Sequence, residues 1–328
     1  MSAPAQSPRF RDQDIAFANG STGETLVFET ADPVNFHQAI SSRATMQTAT
    51  MEGKLFRPPG DAAAAPVVVI VPSSLGVAAS HLGHAESLTG LGVAAFVIDP
   101  FAPRGVTSTV ANQTQYSFAA SAYDVLAAVR LLAGLPGIDA GRIGAQGHSR
   151  GGSAVLSAAM RRLADPVLGP GVGLRAVFAA YPWCGEQFLD PDVGRTRVRA
   201  IIGDRDDWCL PQQVQGDLQA IRLRGGDAAW RLVEAAGHSF DRNTPPERIE
   251  DASVSSAAPT VYVANDGAFI HPVDGRPDPG LTDRDLMVYA LKAGYGVRGA
   301  TIGGLPGQPA LFREDIVTFW RGALGLPD

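Results

Sequence analysis

A serine between two glycines is the pattern in this chain that most directly indicates chemistry. The run Gly147-His148-Ser149-Arg150-Gly151 follows a short strand-like stretch and opens an alanine-rich helical pattern. Glycines on both sides of a serine allow a tight, strained turn between strand and helix, which exposes the hydroxyl at the carboxyl end of a sheet. We therefore predict that Ser149 is a nucleophile. The alternative is a plain glycine turn that opens a helix.

A serine nucleophile needs a base to remove its proton, and the base needs a third group to orient it. In enzymes built on such a turn the acid follows the serine in the chain, the histidine follows the acid, and each stands at the end of a strand. His238 comes directly after the strand-like residues 230–234. We predict that His238 is the base.

The orienting acid is expected in the turn after the strand-like residues 198–202. Asp204, Asp206 and Asp207 all lie there. Asp206 is favoured, because a position three residues past Gly203 allows the turn to direct its side chain back toward the histidine. Asp204 and Asp207 remain alternatives.

Two main-chain N–H groups are predicted to stabilise the negative charge that develops on a reacting carbonyl oxygen. One belongs to Arg150, at the start of the helix after the serine, and the other to Ser74, in the loop after the first long buried strand. The hydroxyls of Ser73 and Ser74 could instead cap the following helix, and one loop can do both.

Several large side chains close to the ends of strands are candidates for the substrate pocket. Trp183 and Trp208 would form an apolar wall for an acyl or aryl group, and Tyr181 and Phe240 could face the same space. Ordinary core packing is the alternative for each. Arg104 could hold a substrate carboxylate through both nitrogens, or it could make a structural hydrogen bond.

Two cysteines and two histidines each allow a structural and a functional interpretation. Cys184 and Cys209 directly follow the candidate pocket tryptophans, so a disulfide could join two site loops, although free thiols are favoured. His81 and His84 share one helical face, but no further ligands complete a metal site, so a solvated or packing pair is expected. We expect neither a metal nor a cofactor.

Strand-like and helical patterns alternate along most of the chain, which predicts an α/β fold with a mostly parallel sheet flanked by helices. The strand candidates are 25–29, 48–57, 66–72, 93–99, 142–146, 174–180, 198–202 and 230–234, and the helix candidates are 76–90, 117–133, 150–163, 212–223 and 313–324. The region from about Asn243 to Gln308 lacks this rhythm and could be an excursion, a lid or a surface loop.

We expect one domain with four parts. These are an N-terminal extension (1–64), a catalytic core (65–242), a long C-terminal insertion (243–308) and a terminal helix (309–328).

Composition excludes several classes of protein. The chain has 328 residues, a net charge of −6 and 45% hydrophobic residues, so a disordered or collagen-like chain is excluded. An acidic balance argues against nucleic acid as a partner, and no apolar run is long enough to predict a membrane span. The N-terminus has no apolar signal-peptide core, so a cytoplasmic location is expected, although an exported protein whose signal was trimmed would look the same.

The sequence resembles the dienelactone hydrolase family of α/β-hydrolases from about Pro66 to His238. The motifs that carry the resemblance are Asp99-Pro-Phe-Ala-Pro-Arg-Gly105, Ile138-Asp-Ala-Gly-Arg-Ile143, Gly147-His-Ser-Arg-Gly-Gly152, Gly203-Asp-Arg-Asp-Asp-Trp208 and Ala236-Gly-His-Ser-Phe-Asp241. The resemblance implies the α/β-hydrolase fold. The enzymes that give the family its name carry cysteine as nucleophile, whereas this chain has Ser149, which favours a general carboxylic ester hydrolase.

The expected function is therefore hydrolysis of a small-molecule or polymeric ester by Ser149, His238 and Asp206 through an acyl-enzyme. An amidase, a peptidase or an acyltransferase with the same three residues is an alternative within the enzymes. A catalytically silent member of the fold that binds a ligand or partner is the alternative from another class.

Overall fold

An eight-stranded sheet forms the centre of the molecule in the computed structural model, which describes residues 9–60 and 64–327. The strands, in chain order, are β1 (Gly23–Asp32), β2 (Gln47–Phe56), β3 (Ala65–Val71), β4 (Ala94–Asp99), β5 (Ile138–His148), β6 (Ala176–Ala180), β7 (Glu186–Phe188), β8 (Arg197–Gly203), β9 (Ala228–Val233), β10 (Glu247–Val254), β11 (Val261–Val263), β12 (Phe269–Ile270), β13 (Pro277–Asp278) and β14 (Val297–Ile302). The central sheet has the order β1-β2-β4-β3-β5-β6-β8-β9.

The neighbouring strands from β4 to β9 in this sheet are parallel. All seven residues of β3 and all six of β4 are buried, as expected of parallel strands that are covered on both faces. Because parallel strands end at the same edge, the loops after β3, β5, β8 and β9 are brought together there. The predicted α/β fold with a mostly parallel sheet is confirmed.

Helices cover the sheet in two groups. The helices are α1 (Phe36–Ser41), α2 (Ala79–Thr89), α3 (Phe118–Ala133), α4 (Arg150–Ala159), α5 (Arg161–Leu168), α6 (Pro211–Leu223), α7 (Asp283–Lys292) and α8 (Gln308–Leu324). Helix α3 packs against α1, α4 and α5, whereas α2 packs against α8. The single helix expected from 150 to 163 is divided, because Met160 adopts an extended backbone between α4 and α5.

The segment expected to be an N-terminal extension contributes to the central sheet. Strands β1 and β2 pair antiparallel over ten residues each, from Gly23 opposite Phe56 to Asp32 opposite Gln47. Strand β2 continues the sheet by pairing antiparallel with β4. The first strands of the chain therefore cover an edge that would otherwise be left open at β4.

Residues 243–308 form ordered structure beside the carboxyl edge of the sheet. Strands β10 and β14 pair antiparallel, and β11, β12 and β13 join β7 in a second, four-stranded sheet. Short strands of two or three residues are too brief to leave a periodic pattern, which is why no strand was predicted for them. Several residues of this region, called the 243–308 excursion from here on, border the cleft described below.

None of the helices within 9–60 and 64–327 is long and apolar enough to cross a membrane.

Candidate active site

The serine at the end of β5 lies on a strained turn. Ser149 has φ 55° and ψ −116°, a backbone conformation that residues other than glycine rarely adopt. A Cβ atom at Gly147 would lie 1.9 Å from the carbonyl oxygen of Gly151, so only glycine permits this approach of strand and helix. The turn presents the Ser149 side chain to a cleft at the carboxyl edge of the sheet.

A chain of two hydrogen bonds connects the three predicted catalytic residues. His238 Nε2 lies 2.9 Å from Ser149 Oγ, and His238 Nδ1 lies 2.8 Å from Asp206 Oδ2. All three side chains are buried. An ionised carboxylate can only accept, so Nδ1 carries the proton and Nε2 is left to accept the serine proton. This arrangement can activate a serine hydroxyl for attack on a carbonyl carbon.

Asp206 is the member of the acidic turn that faces the histidine. Its second oxygen, Oδ1, accepts hydrogen bonds from the N–H groups of Trp208 and Cys209 at 2.9 and 2.8 Å, which fixes the carboxylate. Asp204 is exposed. Asp207 turns away and accepts hydrogen bonds from the N–H and the hydroxyl of Thr301. Asp207 thus attaches the loop after β8, called the acid loop from here on, to β14.

The two residues predicted to stabilise an oxyanion both border the cleft beside Ser149. Arg150 is the first residue of α4, where main-chain N–H groups have no partner within the helix. The Ser74 carbonyl accepts a hydrogen bond from the Thr109 N–H, and its hydroxyl lies 3.1 Å from Gln113 Oε1. These contacts hold the Ser74 loop in place, and the role of both N–H groups stays a prediction.

The Arg150 side chain holds the residues before and at the start of α3 in place. Its guanidinium donates to the carbonyl oxygens of Gln113, Tyr116 and Ser117 at 2.7 to 3.0 Å. It also packs between the rings of Tyr116 and Phe118, 4.3 and 4.2 Å from their centroids. One residue therefore supplies a main-chain donor near the serine and fixes the loop before α3.

The cleft has a volume of about 830 Å³ when the solvent space at its open side is included, and two of the four predicted aromatic residues border it. Trp183 and Trp208 do so, together with Val254, Leu286 and Met287 from the 243–308 excursion. Most of this wall is apolar, as is usual for sites that bind small molecules.

The prediction that Tyr181 and Phe240 line the pocket is wrong, because both side chains are buried behind the triad. The Tyr181 ring meets the His238 ring edge to face at 4.8 Å, and its hydroxyl donates to Asp241 Oδ1 at 2.7 Å. Phe240 packs against Tyr181 and against Phe312 of α8. A position just past a strand end permits either direction, and the sequence did not distinguish them.

Tyr181 belongs to a buried polar network that the sequence analysis did not identify. Trp320 donates to Gln146 Oε1, which leaves the Gln146 amide to donate to His148 Nε2. His148 Nδ1 then carries the proton toward the Tyr181 hydroxyl at 3.0 Å, and His84 Nε2 bonds to the far oxygen of Asp241 at 2.9 Å. Of this network, His84 was singled out from the sequence, where it shares one helical face with His81.

The geometry of this network does not suit a metal ion. His84, His148 and Asp241 place one ligand atom each within 4.8 Å of one another. However, the His84 and His148 rings are stacked at an interplanar angle of 9°, so their lone pairs lie in nearly parallel planes and cannot converge on one ion. Burial lowers the pKa of His148 well below its usual value, so the ring is neutral and carries its single proton on Nδ1.

Arg104, predicted to hold a substrate carboxylate, does not border the cleft, and that prediction is wrong. Its guanidinium donates to Asp124 on α3 at 2.8 Å and to Asp32 at the end of β1. Burial alone would lower the pKa of Arg104, but these two ion pairs raise it above its usual value. Arg104 is therefore a structural ion-pair residue.

Both cysteines are free, buried thiols. Cys209 lies beside the triad, where its sulfur is within 4.8 Å of ligand atoms of Asp206 and His238. Burial raises the pKa of both Cys184 and Cys209 well above the usual thiol range. A neutral thiol is a poor nucleophile, so Ser149 is better placed than Cys209 to react.

Three acidic residues near the cleft had no motif that could have revealed them. Glu186 and Asp283 border the cleft, and burial followed by mutual repulsion raises the pKa of Glu186 well above its usual value. Asp217 lies on α6 beside a smaller neighbouring cavity that Glu186 also borders. Burial raises the pKa of Asp217 to about 7, although a hydrogen bond with Cys184 partly opposes the shift.

The chain is similar to a known protein family and to several solved structures. A family model described as the dienelactone hydrolase family matches residues 51–264. Similar solved structures include a dienelactone hydrolase-like promiscuous phosphotriesterase from metagenomic libraries, with 14% identity over 83% of this chain and 97% of that chain and a TM-score of 0.47. They also include the thermophilic esterase Est2 of Thermogutta terrifontis, with 16% identity over 64% and 85% of the two chains and a TM-score of 0.46. No curated protein gives a significant match.

The Arg104 ion pairs predict a large effect on stability. Replacing Arg104 with Met should lower the free energy of unfolding by about 3–5 kcal/mol, because it leaves Asp124 buried without a partner. Urea unfolding measures this change. Arg142→Met is the matched control, since its ion pair with Asp139 is partly exposed and should contribute at most about 1 kcal/mol. Unchanged stability of Arg104→Met would contradict the structural role.

The raised pKa of Asp217 predicts a pH-dependent gain from Asp217→Asn. The folded state favours the neutral carboxyl, so stability that is present below the ordinary value of 3.8 is lost as the pH rises through about 7. Asn cannot ionise, so its advantage over the wild type should grow by about 2 kcal/mol between pH 5.5 and pH 8. Urea unfolding at both pH values tests this, with Asp227→Asn, whose side chain is 73% exposed, as control. An equal effect of Asp217→Asn at both pH values would refute it.

Proposed function

The chain belongs to the dienelactone hydrolase family, and on that premise we propose that it hydrolyses carboxylic ester bonds with Ser149 as nucleophile. The observation that carries the proposal is the continuous hydrogen-bonded order Asp206, His238, Ser149, with Ser149 bordering an apolar cleft. All three residues fall inside the matched range 51–264. The proposed reaction has two halves joined by an acyl-enzyme.

In the first half, His238 Nε2 takes the proton of Ser149 Oγ while the oxygen attacks the ester carbonyl carbon. The carbonyl oxygen becomes an anion, which the N–H groups of Ser74 and Arg150 stabilise. One such donor contributes about 3–4 kcal/mol to lowering a barrier of this kind. The C–O bond to the alcohol then breaks, and the alcohol leaves with the proton held on Nε2.

In the second half, a water molecule replaces the alcohol. His238 Nε2 takes a proton from this water as its oxygen attacks the acyl carbon, and the same two N–H groups stabilise the second oxyanion. The bond from the acyl carbon to Ser149 Oγ breaks, and Oγ recovers the proton. Asp206 supports both halves, because its carboxylate stabilises the imidazolium and keeps the ring in the productive orientation.

Replacement of the nucleophile gives the most direct test. Ser149→Ala should lower kcat/KM for para-nitrophenyl butanoate by about 10⁵-fold or more and should abolish labelling by a fluorophosphonate probe. Ser157→Ala on the same helix is the matched control and should keep both. Turnover by Ser149→Ala equal to that of the wild type would remove Ser149 from this role, and absence of both turnover and labelling in folded wild-type protein would favour a silent binding protein.

Replacement of the acid tests the orientation of the base. Asp206→Asn should lower kcat by about 10³–10⁴-fold, because an amide donor facing Nδ1 forces the proton onto Nε2, which can then no longer accept one. The neighbouring Asp207→Asn should have a much smaller effect, since Asp207 contacts Thr301 and not His238. Rates with para-nitrophenyl butanoate separate the two variants, and similar losses in both would contradict the assignment of Asp206.

A further inference from the structure

A pair of carboxyl groups borders the cleft without taking part in the triad. Glu186 begins β7 and Asp283 begins α7, so segments far apart in the chain bring the two together. The Phe118 N–H donates to Asp283 Oδ2 at 2.8 Å, whereas Asp283 Oδ1 is buried and has no hydrogen-bond partner among the described residues. Burial raises the pKa of both carboxyl groups, and repulsion by Asp283 raises that of Glu186 further.

Arg150 balances the charge that remains on this pair. Its guanidinium acts electrostatically on both Glu186 and Asp283, while its own hydrogen bonds go to main-chain carbonyl oxygens, which are neutral. This guanidinium therefore offsets the negative charge of either carboxyl group when it ionises. The Nε–H of Arg150 is buried and has no acceptor in the part of the chain that the structure describes.

Gln213 provides an independent unpartnered acceptor on the same cleft. The residue is only 7% exposed, lies on α6 and borders the cleft. Its amide nitrogen faces the carbonyl oxygen of Ala258 and the hydroxyl of Thr260, each at 3.3 Å, and a carbonyl oxygen can only accept, so the orientation of the amide is fixed. Oε1 is therefore left without a donor among residues 9–60 and 64–327. A buried acceptor without a partner is unfavourable unless a ligand supplies the donor.

We propose that the cleft binds a neutral polyol group, such as a sugar ring, as the hydroxyl-bearing part of its ester substrate. This inference rests on the proposed function and names the substrate class of the same site. Hydroxyls of the substrate donate to Asp283 and Gln213 and accept from the Nε–H of Arg150. The apolar C–H faces of the ring pack against Trp183 and Trp208, which border the same space.

The polar wall of the cleft, formed by Asp283, Gln213 and Arg150, distinguishes a polyol from charged ligands. A hydroxyl both donates and accepts, so it matches a wall that has acceptors and a donor, whereas an ammonium group can only donate. A cation also gains little here, because Arg150 neutralises the charge of the carboxyl pair. The hydroxyls of Thr114, Ser253 and Ser255 at the same cleft add further groups that can both donate and accept.

Binding to a non-hydrolysing protein tests the proposal. In the Ser149→Ala background, calorimetry gives the dissociation constants of three esters of butanoic acid. The first carries the acyl group on the primary hydroxyl of methyl glucoside. The second is the cyclohexylmethyl ester, which has a ring without hydroxyls, and the third is the choline ester, which carries a cation. We expect Asp283→Leu and Gln213→Met each to weaken binding of the glucoside ester about 10-fold, because each removes an acceptor and supplies no donor in its place. The cyclohexylmethyl ester should change by no more than about 2-fold, because it makes no hydrogen bond to this wall.

Matched controls distinguish an effect on ligand binding from an effect on folding. Gln212→Met, on the exposed side of α6 beside Gln213, should leave all three dissociation constants unchanged. Circular dichroism identifies any variant that does not fold, and the Gln213 and Asp283 variants test the wall independently of each other. The inference is overturned if the folded variants weaken the glucoside and cyclohexylmethyl esters equally, or if the choline ester binds most tightly and depends on Asp283.

Wild-type turnover distinguishes this inference from the function on which it rests. Hydrolysis of para-nitrophenyl butanoate without the expected selective losses would leave the esterase proposal intact and overturn the polyol site. Absence of turnover together with selective losses would support the polyol site and contradict the esterase proposal.

Discussion

The candidate active site depends on two places where main chains approach so closely that no side chain fits between them. At the serine turn, β5 and α4 cross at Gly147 and Gly151. At the second place a Cβ atom on Gly203 would lie 2.0 Å from the carbonyl oxygen of Ala236, so the loop after β8 lies directly on the loop after β9. The first approach directs Ser149 out of the sheet edge, and the second brings Asp206 within hydrogen-bond distance of His238.

His238 is held from several directions once these approaches are made. Asp206 fixes Nδ1, Tyr181 and Trp208 pack on the ring at 4.8 and 5.2 Å, and the His238 carbonyl accepts a hydrogen bond from the Gly303 N–H. Tyr181 is itself held by Asp241, whose carboxylate stays ionised although burial alone would raise its pKa, because the hydrogen bond from His84 opposes that effect. A buried network whose members are all satisfied is rigid. The imidazole therefore has little freedom to leave the serine.

The features that could be predicted from the sequence are those that short local patterns encode. The buried strands, the order of serine, acid and histidine, and the choice of Asp206 among three acids all follow from short motifs at the ends of strands. Side-chain direction does not follow from such motifs, which explains why Tyr181, Phe240 and Arg104 were wrongly expected in the pocket. Glu186 and Asp283 meet only through the packing of β7 against the 243–308 excursion, and a contact between such distant segments leaves no local signal.

The cleft combines two parts of the chain that differ in how they relate to the family. The triad lies within residues 51–264, whereas α7 and β14, which supply Asp283 and Leu286 to the wall and Thr301 to the acid loop, lie beyond them. Because of this arrangement, substitutions on α7 can change which substrates bind in the cleft while the reacting groups stay the same. The same freedom does not extend to β14 and Gly303, since they support the loops of Asp206 and His238. Selection for new substrates would therefore act on α7 more readily than on the strand that follows it.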